Sequence, residues 1–134
     1  MATILVIDDQ LTIRSFLDTL LRRKGYEVLL ADGGRKGLEL FRRERPDVIV
    51  LDLNMPEMDG LTVLQQIRSV DLKQPVIILT GTTNQKKEQQ VRALGVTECV
   101  EKHFPLHRLE EVLKGLFKNP DPVTEQGLLP KGRG

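Results

Sequence analysis

The sequence lacks most of the features that mark secreted, cysteine-rich or membrane-embedded proteins. It contains one cysteine, Cys99, which excludes an internal disulfide and any zinc site built from several cysteines. No apolar run approaches the roughly 20 residues needed to cross a bilayer. A signal peptide is not expected either, because Asp8 and Asp9 interrupt the short apolar segment at the start of the chain. We therefore expect a cytoplasmic protein without a membrane segment.

The chain also lacks an excess of charge of either sign. Its net charge is +1, and its 40% hydrophobic and 29% charged residues are ordinary for a globular protein. No basic stripe follows Phe117, so we expect no direct binding to nucleic acid or to a membrane surface. The length of 134 residues fits one domain with a real core. We expect that domain to occupy residues 1–118, with residues 119–134, rich in proline and glycine, as a linker or disordered tail.

What the chain does contain is a strict alternation of two hydrophobic periods. Short continuous apolar runs predict four strands, residues 97–101 predict a last short strand, and stretches with apolar residues three and four positions apart predict a helix after each strand. The predicted strands cover residues 4–7, 28–31, 48–51, 75–79 and 97–101, and the fourth helix covers residues 84–94. Such alternation indicates a parallel sheet with helices on both faces. Right-handed crossovers then bring the carboxyl ends of all the strands to one edge.

Chemically active side chains follow four of these strands. Asp8 and Asp9 follow the first, Asp52 the third, Thr80 the fourth and Lys102 the fifth. Two carboxylates about 4 Å apart repel by roughly 4 kcal/mol at an effective dielectric near 20, so three of them must hold a proton or a cation. Oxygen ligands suit Mg²⁺. A carboxylate, a hydroxyl and an ammonium around Mg²⁺ suit phosphoryl transfer, in which aspartate can act as the nucleophile.

Each of these residues also has an ordinary structural interpretation. Asp8 and Asp9 could favour the start of a helix through its dipole. Asp52 could simply form a turn, Thr80 could cap a helix, and Lys102 could be a solvated surface charge. The functional interpretation is preferred because the structural one requires the right residue type at four strand ends by coincidence.

The same residues carry a family resemblance. The segments ILVIDD (4–9), VIVLDLNMPEMDG (48–60), VIILTG (76–81) and VEKHF (100–104) resemble the receiver domains of two-component response regulators over about residues 2–118. The resemblance implies a flavodoxin-like α/β fold: a doubly wound, five-stranded parallel sheet in the order 2-1-3-4-5, with five helices on two faces.

The resemblance also implies a metal site. Asp52 would be the phosphoacceptor, and Asp9, Asp52 and the backbone carbonyl of Asn54 would bind Mg²⁺. Asp8 would support the metal through water or hydrogen bonds. The phosphoryl group would come from the phosphohistidine of a sensor histidine kinase or phosphotransfer protein, or from a small phosphodonor.

Other matching positions concern the phosphoryl group itself. Thr80 and Lys102 would contact its oxygens and report its presence. Asn54 and Thr82, each two residues after a site residue, would influence the lifetime of the phosphorylated state by gating the attacking water. The chain would thus be a signalling switch rather than an enzyme with a separate substrate.

Two positions depart from the family pattern. The family usually has proline in a cis peptide after its lysine, whereas this chain has His103 after Lys102. A cis bond before a residue other than proline costs about 2.5–4 kcal/mol, so we expect a trans bond there. Cys99 stands where the family often carries an aromatic residue that changes rotamer with phosphorylation, so the output must be communicated differently. For Cys99, a half-buried strand thiol is favoured over a redox role.

The fourth predicted helix has a poor apolar pattern. Val91 and Leu94 are its only large apolar residues, while Lys87 and Glu88 occupy inner-face positions. Family members commonly use this region to contact partners. A partner surface on this helix is therefore one interpretation and an ordinary solvated face is the other, for the residues Gln85, Lys86, Gln89 and Gln90.

Three functional classes follow. The first is a phosphorylation-switched module that acts on a downstream protein or on an output domain outside this chain, with homodimerisation left open. The second is a degenerate receiver that binds partners without phosphorylation, which the intact strand-end residues disfavour. The third is a phosphatase with an aspartyl nucleophile. It would need a second aspartate two residues after Asp52, where the chain has Asn54.

Overall fold

The structure is a computed structural model that describes residues 1–81, 85–102 and 106–117. The strands are Thr3–Ile7 (β1), Glu27–Ala31 (β2), Val48–Asp52 (β3), Val76–Thr80 (β4) and Glu98–Glu101 (β5). The helices are Leu11–Arg23 (α1), Gly34–Glu44 (α2), Gly60–Val70 (α3), Gln85–Ala93 (α4) and His107–Leu116 (α5). The chain divides into two compact units, of which the first is residues 1–102 and the second contains α5. The predicted strands and helices are confirmed, with bounds that differ by only a few residues.

All five strands are parallel, and their order is β2-β1-β3-β4-β5. The predicted α/β fold and strand order are therefore confirmed. In the centre of the sheet, Val50 of β3 lies between Val6 of β1 and Ile77 of β4. Asp52 is the last residue of β3 and pairs with Leu79. The phosphoacceptor candidate thus lies at the carboxyl end of the central strand, where open α/β sheets place their ligand sites.

The three inner strands of the sheet are buried on both faces, which explains their continuous apolar runs in the sequence. Strands β3 and β4 are buried along their whole length. One face forms a cluster with α2, α3 and α4 that includes Leu5, Ile49 and Ile78. Helix α1 contacts β1 and β2, and its buried side chains do not belong to that cluster. It therefore covers the opposite face, so the first unit has helices on both sides of the sheet. In the second unit, α5 buries Leu109 and Leu113.

The start of α3 lies close to the end of β3. Gly60, the first residue of α3, donates its N–H to the carbonyl oxygen of Leu53 at 2.9 Å. A Cβ atom on Gly60 would overlap the carbonyl oxygen of Asp52 and lie 2.8 Å from the Cα atom of Leu53. The helix start is therefore pressed against the backbone that carries Asp52. The preceding residue, Asp59, caps α3 by accepting the N–H of Thr62 at 3.0 Å.

Helix α4 has the weak apolar face that the sequence predicts. Val91 is the one buried residue within Gln85–Ala93. The predicted range of 84–94 is one residue longer at each end, and residue 84 lies outside the described residues. In the described parts of the chain, no helix has the length and apolar character needed to cross a membrane.

Candidate functional site

Three carboxylates meet at the carboxyl edge of the sheet. Asp8 follows β1, Asp9 comes next, and Asp52 ends β3. One carboxylate oxygen from each residue lies within 4.8 Å of the other two. Asp8 and Asp52 are almost completely buried, whereas Asp9 is exposed. The convergence expected from the strand order therefore occurs, with two acidic groups inside the protein and a third at the entrance.

Lys102 supplies a positive charge to this cluster. Its ammonium nitrogen Nζ lies 2.9 Å from Asp8 Oδ2 and 3.1 Å from Asp52 Oδ2, and the lysine side chain is only 9% exposed. The lysine is held there because it follows β5 directly and its N–H donates to the carbonyl oxygen of Thr80 at 2.9 Å. One lysine, however, compensates one of the three negative charges.

The other oxygens of the two buried carboxylates are held by backbone donors. Asp8 Oδ1 accepts the N–H of Gln10 at 2.8 Å, and Asp52 Oδ1 accepts the N–H of Asn54 at 3.2 Å. By contrast, the oxygens that face Lys102, Asp8 Oδ2 and Asp52 Oδ2, are buried and have no partner in hydrogen-bonding geometry. The ion pair with Lys102 thus leaves them incompletely satisfied.

This donor set fits a hard divalent cation. Buried carboxylate oxygens without full hydrogen bonding are costly unless a cation or a proton compensates them. Two such oxygens lie beside a third carboxylate that is open to solvent, which matches the oxygen ligands and retained waters that Mg²⁺ prefers.

The electrostatics of the cluster are expressed in the pKa of Asp52. Burial raises this pKa, and the neighbouring Asp8 carboxylate raises it further. Lys102 and the N–H of Asn54 act in the opposite direction, and the net result is a pKa of about 6 in place of 3.8. Without a cation, ionisation of Asp52 therefore costs more free energy in the folded protein than in the unfolded chain.

Thr80 ends β4, the neighbouring strand, and is 7% exposed. It lies one residue beyond Leu79, the partner of Asp52 in the sheet. Asn54 is exposed and lies two residues after Asp52. Two other predictions, the role of Thr82 and the trans peptide before His103, fall outside the described residues.

One contact of the site was missed by sequence reasoning. Arg14, on the first turn of α1, donates from Nη1 to the carbonyl oxygen of Asp8 at 2.8 Å. It thereby fixes the peptide between Asp8 and Asp9. Nothing in the spacing of the sequence indicates this contact, because an arginine on the first turn of a helix is usually solvated.

Comparison with known proteins gives the family. The sequence model of the family 'response regulator receiver domain' matches residues 4–114. The chain belongs to the response regulator receiver domains. This receiver domain is 35% identical over 127 residues to the probable transcriptional regulator ycf27 of Porphyridium aerugineum. The matched region covers 95% of this chain and 52% of that relative. The chain thus spans about half the length of this curated relative.

Solved structures agree with this assignment. The chemotaxis protein CheY4 of Vibrio cholerae superimposes with a TM-score of 0.80 at 34% identity, over 87% of this chain and 99% of that one. The response regulator TrrA of Thermotoga maritima, solved in complex with Mg²⁺ and BeF, superimposes with a TM-score of 0.79 at 33% identity, over 87% and 100% of the two chains. The receiver domain is therefore a two-component signalling module with the flavodoxin-like fold predicted from sequence.

Outside the acidic cluster, the receiver domain shows the exposure pattern expected for α4. Lys87 and Glu88 are half-buried, and the four residues of the predicted partner surface are exposed: Gln85, Lys86, Gln89 and Gln90. Cys99 is half-buried in β5, and burial raises the pKa of its thiol to about 11. The thiol therefore stays protonated at neutral pH, which supports the structural interpretation of this cysteine.

Proposed function

We propose that this receiver domain is a phosphorylation-switched signalling module that accepts a phosphoryl group on Asp52. The observation that carries the proposal is the burial of Asp52 beside Asp8, Asp9 and Lys102 at the end of the central strand. The alternative, a degenerate receiver that binds partners without phosphorylation, has less support because the chain retains all of these groups together.

Asp52 acts as the nucleophile in this proposal. With a pKa of about 6, its carboxylate is mostly ionised above pH 7 even without a cation. A carboxylate oxygen forms the new bond to phosphorus while the bond to the donor's histidine nitrogen breaks, and the released imidazole keeps the bonding electron pair. A small phosphodonor such as an acyl phosphate would react in the same way. The domain catalyses only its own phosphorylation and dephosphorylation.

Asp9, Asp52 and the Asn54 carbonyl would bind Mg²⁺, with Asp8 in support. When bound, Mg²⁺ would neutralise charge on the phosphoryl oxygens and orient them for transfer. Lys102 Nζ lies 3.1 Å from Asp52 Oδ2 and would contact a phosphoryl oxygen once Asp52 carries the phosphoryl group. Thr80 supplies a hydroxyl from the adjacent strand end, and Asn54 and Thr82 modulate the lifetime of the acyl phosphate.

The proposed partners are a sensor histidine kinase or phosphotransfer protein as donor, and either a downstream protein or an output domain as target. The polar surface of α4 is proposed as the partner surface. We place the domain at residues 1–118 and in the cytoplasm, with no direct binding of nucleic acid or membrane.

A phosphoryl mimic tests this function without a cognate kinase. Mg²⁺ and beryllofluoride together are expected to raise the melting temperature of the wild type by on the order of 10 °C, since a ligand at 100 times its Kd adds about 2.7 kcal/mol of stability. Asp52→Asn should lose the response to beryllofluoride. Asp32→Asn is the matched control, because this exposed carboxylate follows β2 at the same edge but is not one of the three clustered groups. An equal response in Asp52→Asn would contradict the proposal.

A further inference from the structure

Helix α4 depends on polar contacts for its position more than the other helices of its unit do. Helices α1, α2 and α3 bury three, five and five residues, whereas α4 buries only Val91. The apolar contribution to its docking is correspondingly small. Polar contacts at both ends of the helix connect it to α3.

The contact at the carboxyl end is buried. Arg68 of α3 is 9% exposed and donates from Nε to the carbonyl oxygen of Leu94 at 2.9 Å and from Nη2 to the carbonyl of Gly95. Its Nη1 donates to the carbonyl oxygen of Asp71 at 3.0 Å. The guanidinium therefore binds the free carbonyls at the end of α4, where a positive charge is also favoured by the helix dipole. Removing these bonds would leave the largely buried guanidinium of Arg68 without its carbonyl partners, so this end is firmly fixed.

The contact at the amino end is an ion pair that is partly open to solvent. Lys87 Nζ lies 2.7 Å from Asp59 Oδ2, and the two side chains are 29% and 27% exposed. A lysine in the first turn of a helix is unfavourable with respect to the helix dipole, and the negative charge of Asp59 offsets this cost. Burial alone would raise the pKa of Asp59, but hydrogen bonds from Lys87 and Thr62 hold it below its usual value. The carboxylate is therefore charged at neutral pH.

Asp59 is also connected to the phosphoacceptor strand. It directly precedes Gly60, whose backbone is pressed against the carbonyl oxygen of Asp52 and bonded to that of Leu53. Because the contact involves backbone atoms on both sides, a shift at the end of β3 has to move the start of α3. Asp59 moves with it.

We propose that the Asp59–Lys87 ion pair is a latch that sets the resting position of α4, and that α4 pivots about its Arg68-bound end when the latch opens. The pivot displaces the amino-terminal part of α4, where Gln85, Lys86, Gln89 and Gln90 are exposed. The contacts of Asp59 with Lys87 and of Gly60 with the end of β3 support the latch. Its opening by a phosphoryl group on Asp52 rests on the proposed function.

Hydrogen exchange of the α4 amides tests the latch in the absence of any phosphodonor. The informative amides are those of Gln89, Gln90 and Val91, because helical N–H groups bond to carbonyls four residues earlier, in the first turn. Asp59→Asn removes the charge while keeping an equally good helix cap. Lys87→Gln removes the other partner. Each substitution should accelerate exchange of these amides about two- to fivefold, the range expected for a partly exposed ion pair.

Three comparisons make this test specific to a latch. The amides of Leu94 and Gly95, which bond to the carbonyls of Val91 and Arg92, should keep their wild-type rates. The double variant should exchange no faster than Lys87→Gln alone, because Asp59 acts on α4 through Lys87. Glu39→Gln, which removes a similar pair with Arg43 on α2, should leave α4 unchanged. Unchanged rates at residues 89–91, equal acceleration at residues 94 and 95, or additive effects in the double variant would each overturn the latch.

A second experiment separates the latch from the phosphorylation switch. Mg²⁺ and beryllofluoride, added to the wild type, should accelerate exchange of the same three amides and have little further effect on Asp59→Asn. A mimic that binds to the wild type without changing these amides would overturn the link to Asp52. If the mimic binds to no variant, the proposed function fails, whereas the comparison without the mimic still decides whether the latch exists.

Discussion

Gly60→Ala is expected to lower the free energy of unfolding by about 3 kcal/mol, at the upper end of the range for overpacked sites. The added Cβ atom would overlap the carbonyl oxygen of Asp52 and crowd Leu53 Cα. Both neighbours are backbone atoms, so a side-chain rotation cannot relieve the overlap, and either the end of β3 or the start of α3 must move. Since β3 carries Asp52, the variant should also bind Mg²⁺ more weakly. Urea denaturation and a Mg²⁺ titration measure the two effects.

Gly115→Ala is the matched control for this prediction. A Cβ atom on Gly115 meets open space, and the residue lies within α5. The same chemical change should there be neutral or stabilising by up to about 1 kcal/mol, because alanine favours a helix more than glycine does. If Gly60→Ala were as stable as Gly115→Ala, the close approach of α3 to Asp52 would be wrong.

Asp52→Asn is expected to stabilise the metal-free protein at pH 7 to 8, by about 1–3 kcal/mol. The pKa of Asp52 is about 6 in the folded protein and 3.8 as a reference, and each unit of difference corresponds to about 1.4 kcal/mol. The carboxylate is 1% exposed, so solvent screening is weak. Asparagine removes one negative charge and leaves the ion pair between Asp8 and Lys102 intact. The free energy of unfolding, measured in EDTA, should therefore be higher for the variant.

The pH dependence of this difference has a definite sign. Because the folded-state pKa is raised, the folded protein binds more protons at Asp52 than the unfolded chain does between about pH 4 and 6. The favourable contribution of Asp52 is thus complete below the unfolded pKa and is lost as the pH rises through about 6. The gain from Asp52→Asn over the wild type should grow from pH 4 to pH 7 and then stay constant.

The control is again Asp32→Asn, which removes an exposed carboxylate from the same edge and should show no such pH-dependent gain. If Asp52 binds Mg²⁺ as proposed, saturating Mg²⁺ should reverse the order of stabilities, because the cation would stabilise the wild-type cluster and the variant would lack one of its ligands. A stability difference that does not change with pH would contradict the raised pKa of Asp52.

The sequence predicted the site because strand ends are readable from hydrophobic runs. The runs before Asp8, Asp52 and Thr80 are continuous because those strands are buried on both faces, and parallel topology brings their ends together with the end of β5, which precedes Lys102. The carboxylates, the hydroxyl and the ammonium at these ends then suggested the chemistry. No packing detail was needed to place these groups at one edge.

The contacts that connect the site to α4 were not predictable in the same way. The sequence does not show that a glycine is required at position 60, because the requirement comes from a close approach between two backbones. Neither the pair of Asp59 with Lys87 nor the bonds of Arg68 to the end of α4 follow from periodicity, because they join residues 26 to 28 positions apart. Charged residues at the inner-face positions of a helix indicate that an opposite charge or a hydrogen bond compensates them, but not which residue supplies it.

The most direct test of phosphorylation on Asp52 is intact mass after incubation with acetyl phosphate, with and without Mg²⁺. Wild type and Asp52→Asn should be measured side by side, with Asp32→Asn as the folded control. We expect one phosphoryl adduct that requires Mg²⁺, appears in the wild type and in Asp32→Asn, and is missing in Asp52→Asn. An adduct of equal yield on Asp52→Asn, or no adduct on the folded wild type under any of these conditions, would contradict this expectation.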